Sequence, residues 1–517
     1  MRGKLVMNKF MKKFGVTFLV AGIIMSSLSG CSTSKNTTST KATVDTKDAV
    51  KLKMYILGDK PKDADAVYGK MNAILTQKIN ATIDVNFISW GDQATKYPLL
   101  FSSGEDFDLI FTATGWCYYN QMATRNGFLE LTPELLQKYA PQSVKNEPKL
   151  AWEQAKVNKK IYMIPNDQDE YAYSVVGIRG DLREKYHIPA ITSQAGLEKY
   201  YETIAKNEKD IVPIINGGGQ NLQFPLELQA NGFTGVMGTY GSDPILGYKM
   251  NDTTGKIFSI IDTPEYKDYA VKMKKYADSG YWSKSSISSK ETRDDGFKAG
   301  KSASMIWNIG SVANDLKIMN AAHPEWKVEI ADILPGSKKF ANPYTNNGMA
   351  INANSKNSER ALMALDLLRY DKDLNDITFN GVKGTHWDAV GDKEFKTLGA
   401  TANFPAGNVC PWGWHTSITR TDVARPKIVP ETIAKWQKND TIHNPLETFT
   451  FDDSLVKNEM AAINTVVTQY GLPLHLGIIA DPVKGAEIYS QKLKAAGLDK
   501  VMKAVQEQAD KFIKSKK

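Results

Sequence analysis

Cysteine is scarce: the 517-residue chain has three, at positions 31, 117 and 410. So few exclude a scaffold held together by disulfides. The six histidines are scattered without metal-ligand spacing, and neither His-Glu-x-x-His nor Gly-x-Ser-x-Gly occurs. No metal, cofactor or catalytic residue is therefore expected. After residue 28 no apolar run is long enough to span a bilayer. Charge of one sign is lacking too. The first 30 residues hold five Lys/Arg and no acid, which leaves 60 basic against 57 acidic residues. Such a balance makes no case for a nucleic-acid binder. A phosphate loop is also missing: Gly296 and Gly300 precede Lys301-Ser302, but three residues separate the glycines where the loop needs four. Gly300 fits better as a left-handed cap closing a helix before a strand.

What is present begins at the N-terminus. Arg2, Lys4, Lys9, Lys12 and Lys13 precede an apolar stretch over residues 14–28, which reads as a secretory signal. Leu28-Ser29-Gly30-Cys31 resembles the lipobox of bacterial lipoproteins. That resemblance implies cleavage after residue 30 and a lipid on Cys31, placing the chain on the extracellular face of the cell membrane. Residues 31–49 are polar and form a tether. Cys117 and Cys410 sit among aromatics, where they could pair or pack as small apolar groups.

From Lys51 onward the pattern alternates strand, helix, strand, helix, strand. Residues 51–57 and 81–88 alternate as strands, 65–79 has helical spacing, and 107–111 is a buried parallel strand. Further strands are expected at 159–165, 172–179, 211–215, 302–308, 328–330 and 348–351. Helices are expected at 192–207, 264–279 and 358–370, and as an amphipathic stripe through Leu498, Val501, Met502, Val505, Ala509 and Phe512. This is an α/β pattern.

Several stretches then resemble the carbohydrate-type extracellular solute-binding proteins of bacterial ABC importers: Gly58-Asp59-Lys60, Phe107-Asp108-Leu109-Ile110-Phe111, residues 160–165, 297–305 and 347–352. Residues 379–387 and 494–501 resemble the large LipO-like lipoproteins of that family, which carry an extra C-terminal region. The resemblance implies a two-lobed, Venus-flytrap α/β fold with strands crossing between the lobes and a helical C-terminal extension. It implies lobe one at 50–165 plus 306–347 and lobe two at 166–305 plus 348–400, with 401–517 packed on the lobes. It implies a monomer that captures an oligosaccharide and hands it to permease subunits, and that is not an enzyme.

Open α/β sheets bind ligands at the carboxyl ends of their strands. The candidates there are Trp116, Trp90, Asp59, Tyr118, Asp167, Glu170, Asn216, Gln220, Trp307, Asn308, Tyr344 and Asn347. Indole and phenol rings suit the CH face of a pyranose, and planar amides and carboxylates suit its hydroxyls. Trp116 leads the set, because the family resemblance places it on the cleft rim. His386, Trp387, Trp412, Trp414 and His415 form a C-terminal set that either faces a glycan or pins a loop with buried rings. The alternatives are an exported glycan-degrading enzyme, which needs a facing pair of carboxylates such as Asp167 and Glu170, or a binding protein for a peptide.

Overall fold

A computed structural model describes residues 46–168, 170–216, 223–236, 244–283, 285–405 and 409–515. The signal, the lipobox and Cys31 lie outside the described residues, as does nearly all of the tether. Val50–Leu57 lies inside the first sheet, with Leu52, Met54 and Ile56 wholly buried. Its neighbours Ala81–Ile88 and Leu109–Thr112 run parallel to it, with Leu52 opposite Ile83 and Met54 opposite Leu109. Helix Ala64–Ile79 connects the first two strands and buries Val67, Met71, Leu75 and Ile79 of the stripe its spacing prescribes, with Ile74 half-buried. Asn80 ends that helix in the left-handed conformation at φ 47°.

Two further strands complete this five-stranded sheet, Gly348–Ile351 and Met163–Pro165, both joined antiparallel. The second sheet has four strands in the order Glu329–Ala331, Ser174–Ile178, Ser302–Asn308, Val212–Ile214. Helix Ile309–Ala322 covers it so closely that a Cβ on Gly177 would lie 3.1 Å from Val312 Cγ1.

The pairing corrects the expected lobe composition. Residues 306–331 stay with the second sheet, and Gly348–Ile351 joins the first. A four-residue apolar strand is buried on both faces wherever it lies, so its pattern carries no mark of its partner. The crossings are therefore 166–173 and 332–347, and they are tied together. Asn342 N donates to Glu170 O at 2.8 Å and Asn166 N to Tyr344 O at 3.1 Å.

The C-terminal region makes a third passage. Cys410 N donates to Leu57 O beside the first sheet. Val429 and Trp436 pack with Tyr171, Val175 and Val328. Beyond Leu446 the chain joins the core of the second lobe, where Phe449, Phe451, Ile463, Tyr489, Val501 and Val505 are buried with Tyr266, Tyr269 and Met273. The last helix, Leu498–Ser515, buries Leu498, Val501, Val505 and Ala509 of its expected stripe and leaves Met502 and Phe512 half-buried against the same core. Gly300 closes helix Arg293–Lys298 at φ 71°, as its place before a strand requires.

Candidate functional site

The first lobe presents Thr114, Trp116 and Tyr118 on one tight turn. After Leu109–Thr112, Ala113 and Cys117 exchange backbone hydrogen bonds at 3.2 Å, and Thr112 Oγ1 donates to Cys117 O at 2.8 Å. Gly115 takes φ 86° to make the turn. Tyr118 takes φ 57°, a strained conformation for a bulky residue. The strain is held by a stacked contact with Tyr97 at 5.2 Å and by donation from Tyr118 OH to Ala94 O at 3.3 Å. Thr114 N donates to Thr345 O at 2.8 Å, fixing the turn to the second crossing.

Trp116 stands at the tip, 37% exposed, with its Nε1 donating to Asn346 O at 2.9 Å. Its ring lies 5.3 Å from Phe111 and 6.4 Å from Trp90. Trp90 in turn stacks on Trp412 at 6.0 Å. Three indoles from three distant parts of the sequence thus make one half-exposed surface.

Opposite this turn is a cavity of about 770 Å³. Thr114, Trp116 and Tyr118 form its first-lobe wall, and Leu228, Phe233 and Gly235 its second-lobe wall. Tyr173 and Ser174, at the end of the first crossing, form the floor. The volume suits a ligand of a few sugar rings, and the walls combine aromatic faces with single polar groups. Among the described residues no cluster of His, Cys, Asp and Glu is arranged to hold a metal ion.

The candidates read from the sequence divide. Trp116 and Tyr118 line the cavity, and Trp90 supports Trp116. Asp59 is exposed at the end of its strand. Asp167 is engaged elsewhere: it accepts from Ser417 N at 3.0 Å and from Ser417 Oγ at 3.0 Å, holding the C-terminal loop. Glu170 accepts from Asn166 Nδ2 at 3.1 Å and Asn347 Nδ2 at 2.9 Å, so both Glu170 and Asn347 belong to the crossings. Burial raises the carboxyl pKa of Glu170, and the amides of Asn346, Asn166 and Asn347 offset part of that rise.

Tyr344 offers its backbone to Gln154 and Asn166. Trp307 lies under the Arg293 guanidinium at 3.8 Å. Asn308 caps helix Ile309–Ala322, its Oδ1 accepting from Ser311 N at 3.0 Å. Asn216 is buried, and Gln220 lies outside the described residues. Asp167 and Glu170 are therefore held by separate partners and are not a facing pair.

The C-terminal set serves mostly as anchors. Trp414 is fully buried and donates to Thr378 Oγ1 at 2.9 Å, and Trp387 Nε1 donates to Gly381 O at 2.9 Å. His386 accepts from Val382 N at 2.9 Å and contacts Asp63. Burial lowers the His415 pKa to about 4, against the pull of Asp167. Cys117 and Cys410 are both buried free thiols, and burial pushes Cys117 up to about 12.

Asn346 lines the cavity as well, and so do Tyr173, Leu228, Phe233 and Asp453, which sequence reasoning missed. The polar run 344–347 pointed near Asn346. Nothing local marked Asp453, which the fold brings from far along the chain.

Three kinds of relative match this architecture. The chain is 26% identical over 492 residues to a carbohydrate ABC transporter substrate-binding protein of Streptococcus pneumoniae serotype 4 (strain ATCC BAA-334 / TIGR4), covering 93% of this chain and 94% of that one. It superposes on the crystal structure of the N-glycan transport solute-binding protein NgtS from Streptococcus pneumoniae with a TM-score of 0.75, at 24% identity, covering 91% of this chain and all of that one. The fold is that of a two-lobed solute-binding protein. The same protein in complex with Man5GlcNAc gives a TM-score of 0.68 at 23% identity, over 91% of this chain and 100% of that one. An alginate-binding protein, AlgQ2, gives 0.64 at 16% identity, over 90% of this chain and 99% of that one. Residues 445–514 match a family model described as a domain of unknown function, DUF3502. The sequence resemblance to carbohydrate-type solute-binding proteins holds, and these relatives are named for binding and transport.

Proposed function

We propose that this chain captures an oligosaccharide between its lobes outside the cytoplasm and delivers it to the permease of an ABC importer, acting as a monomer tethered by lipid on Cys31. The observation that carries the reading is the cavity itself: Trp116 and Tyr118 on one wall, Phe233 and Leu228 on the other, with polar groups between them. A pyranose ring seated on an indole face buries its CH groups while its hydroxyls meet the amides and hydroxyls around it. Closure of the lobes over the ligand would bend the two crossings that Glu170 and its asparagines hold in register.

The enzyme reading finds less support. Hydrolysis at such a cleft needs two carboxylates flanking the scissile bond. The described lining contains one, Asp453.

Titration of the full chain with a panel of oligosaccharides, read by tryptophan fluorescence, tests the proposal. A saturable change with at least one glycan is expected, because Trp116 and Trp90 lie beside the cavity; silence across the panel removes the carbohydrate. The anchor is tested separately by mass spectrometry of membrane-extracted protein. A diacylglyceryl mass on Cys31 is expected, and Cys31→Ala should release the protein to the medium.

A further inference from the structure

Residues 445–514, the stretch that matches a family model of unknown function, reach the cleft through Asp453. The short turn Asp453–Leu455 lies between buried Phe451 and buried Val456, and Asp453 lines the cavity. The turn is held from the far end of the chain. Gln508, on the last helix, accepts from Asp452 N at 3.0 Å and donates to Asp452 O at 2.9 Å, so one side-chain amide satisfies both backbone groups. Asp452 in turn accepts from Ser454 N at 3.0 Å. The Asp453 carboxylate itself makes no side-chain hydrogen bond or ion pair among the described residues, although its backbone is fixed.

The charge around it is one-sided. Asp453 is the one carboxylate in the described lining, which contains no Lys, Arg or His. A carboxylate with open lone pairs accepts hydrogen bonds from vicinal hydroxyls. It repels a second carboxylate brought into the same partly desolvated space, and no cation in the described lining offsets that repulsion.

We infer that the C-terminal region completes the cleft by supplying Asp453, which binds ligand hydroxyls and selects neutral glycans over acidic ones, with Gln508 as its positioning residue. This rests on the carbohydrate reading above and narrows it to a substrate class.

An array of neutral, uronate-bearing and sialylated oligosaccharides, with hits titrated calorimetrically against the full chain, tests the inference. Neutral hits are expected. Asp453→Ala should weaken the best of them by about tenfold or more. Asp453→Asn keeps the shape, so it should lose less and raise the affinity for uronate-bearing analogues. Gln508→Ala should weaken binding alone but add nothing in the Asp453→Ala background, a coupling that general destabilisation would not produce. Acidic hits as tight as neutral ones, or unchanged binding in Asp453→Ala, would overturn the inference while leaving carbohydrate binding in place. An array with no hits would overturn the carbohydrate reading and this inference with it.

Discussion

Arg369 and Glu147 face each other with no exposed side-chain area. Tyr370 OH donates to Glu147 Oε1 at 2.9 Å and lies 3.5 Å from Asp167 Oδ2, so the pair reaches the start of the first crossing. Removing one partner strands the other. Arg369→Met should lower the unfolding free energy by about 3 kcal/mol, measured by urea denaturation. His415 lies in the same region, facing Asp167, Arg369 and Arg425. Its folded pKa of about 4 is below the ordinary 6.5, so only the unfolded chain takes up its proton between those values. Stability is full above about pH 6.5 and is lost as pH falls towards 4. Buried carboxylates such as Glu147 and Asp366, whose pKa values are raised by burial, act in the opposite direction. The clean readout is therefore a difference: His415→Gln should gain on the wild type as pH falls from about 7 to 4, by at most about 1.4 kcal/mol per pH unit. The thiols give a chemical check. Cys117 and Cys410 should resist a thiol reagent in the native chain and both react in denaturant, whereas a disulfide would leave both silent.

At the level of elements, the C-terminal region belongs to the core of the second lobe. Gly477 shows how close the docking is: at φ 64°, a Cβ there would lie 2.2 Å from the carbonyl oxygen of Met273 on helix Pro264–Asp278. Gly477→Ala combines backbone strain with a clash against backbone and should cost more than about 1 kcal/mol in thermal or urea unfolding. The amphipathic helices were legible, because helix Ala64–Ile79 and the last helix bury most of the residues their spacing selects and half-bury Ile74, Met502 and Phe512. Strand partners were not. Gly348–Ile351 and Ser302–Asn308 look alike as short buried strands, and only long-range pairing decides which sheet each joins.

Across the whole molecule, the two lobe sheets, two tied crossings and a C-terminal passage enclose a cavity whose described walls come from both lobes and the chain's last region. The carboxyl-end rule for α/β sheets led to Trp116 and Tyr118, which follow directly on a strand of the first sheet. It led equally to Asp167, Glu170, Asn308 and Asn347, which hold crossings and caps. Residue type alone does not separate a carboxylate that binds a ligand from one that ties two backbones together. Asp453 is the converse case, since its place in the cleft depends on Gln508 and on packing of the final helix.

The most direct measurement is a crystal structure of the full chain with the tightest glycan from the titrations. The account predicts sugar density between the turn of Trp116 and Tyr118 and the wall of Phe233 and Gly235, with a ring face on Trp116 and hydroxyls within hydrogen-bond distance of Asp453. A glycan bound elsewhere on the molecule, with this cavity left to solvent, would contradict it.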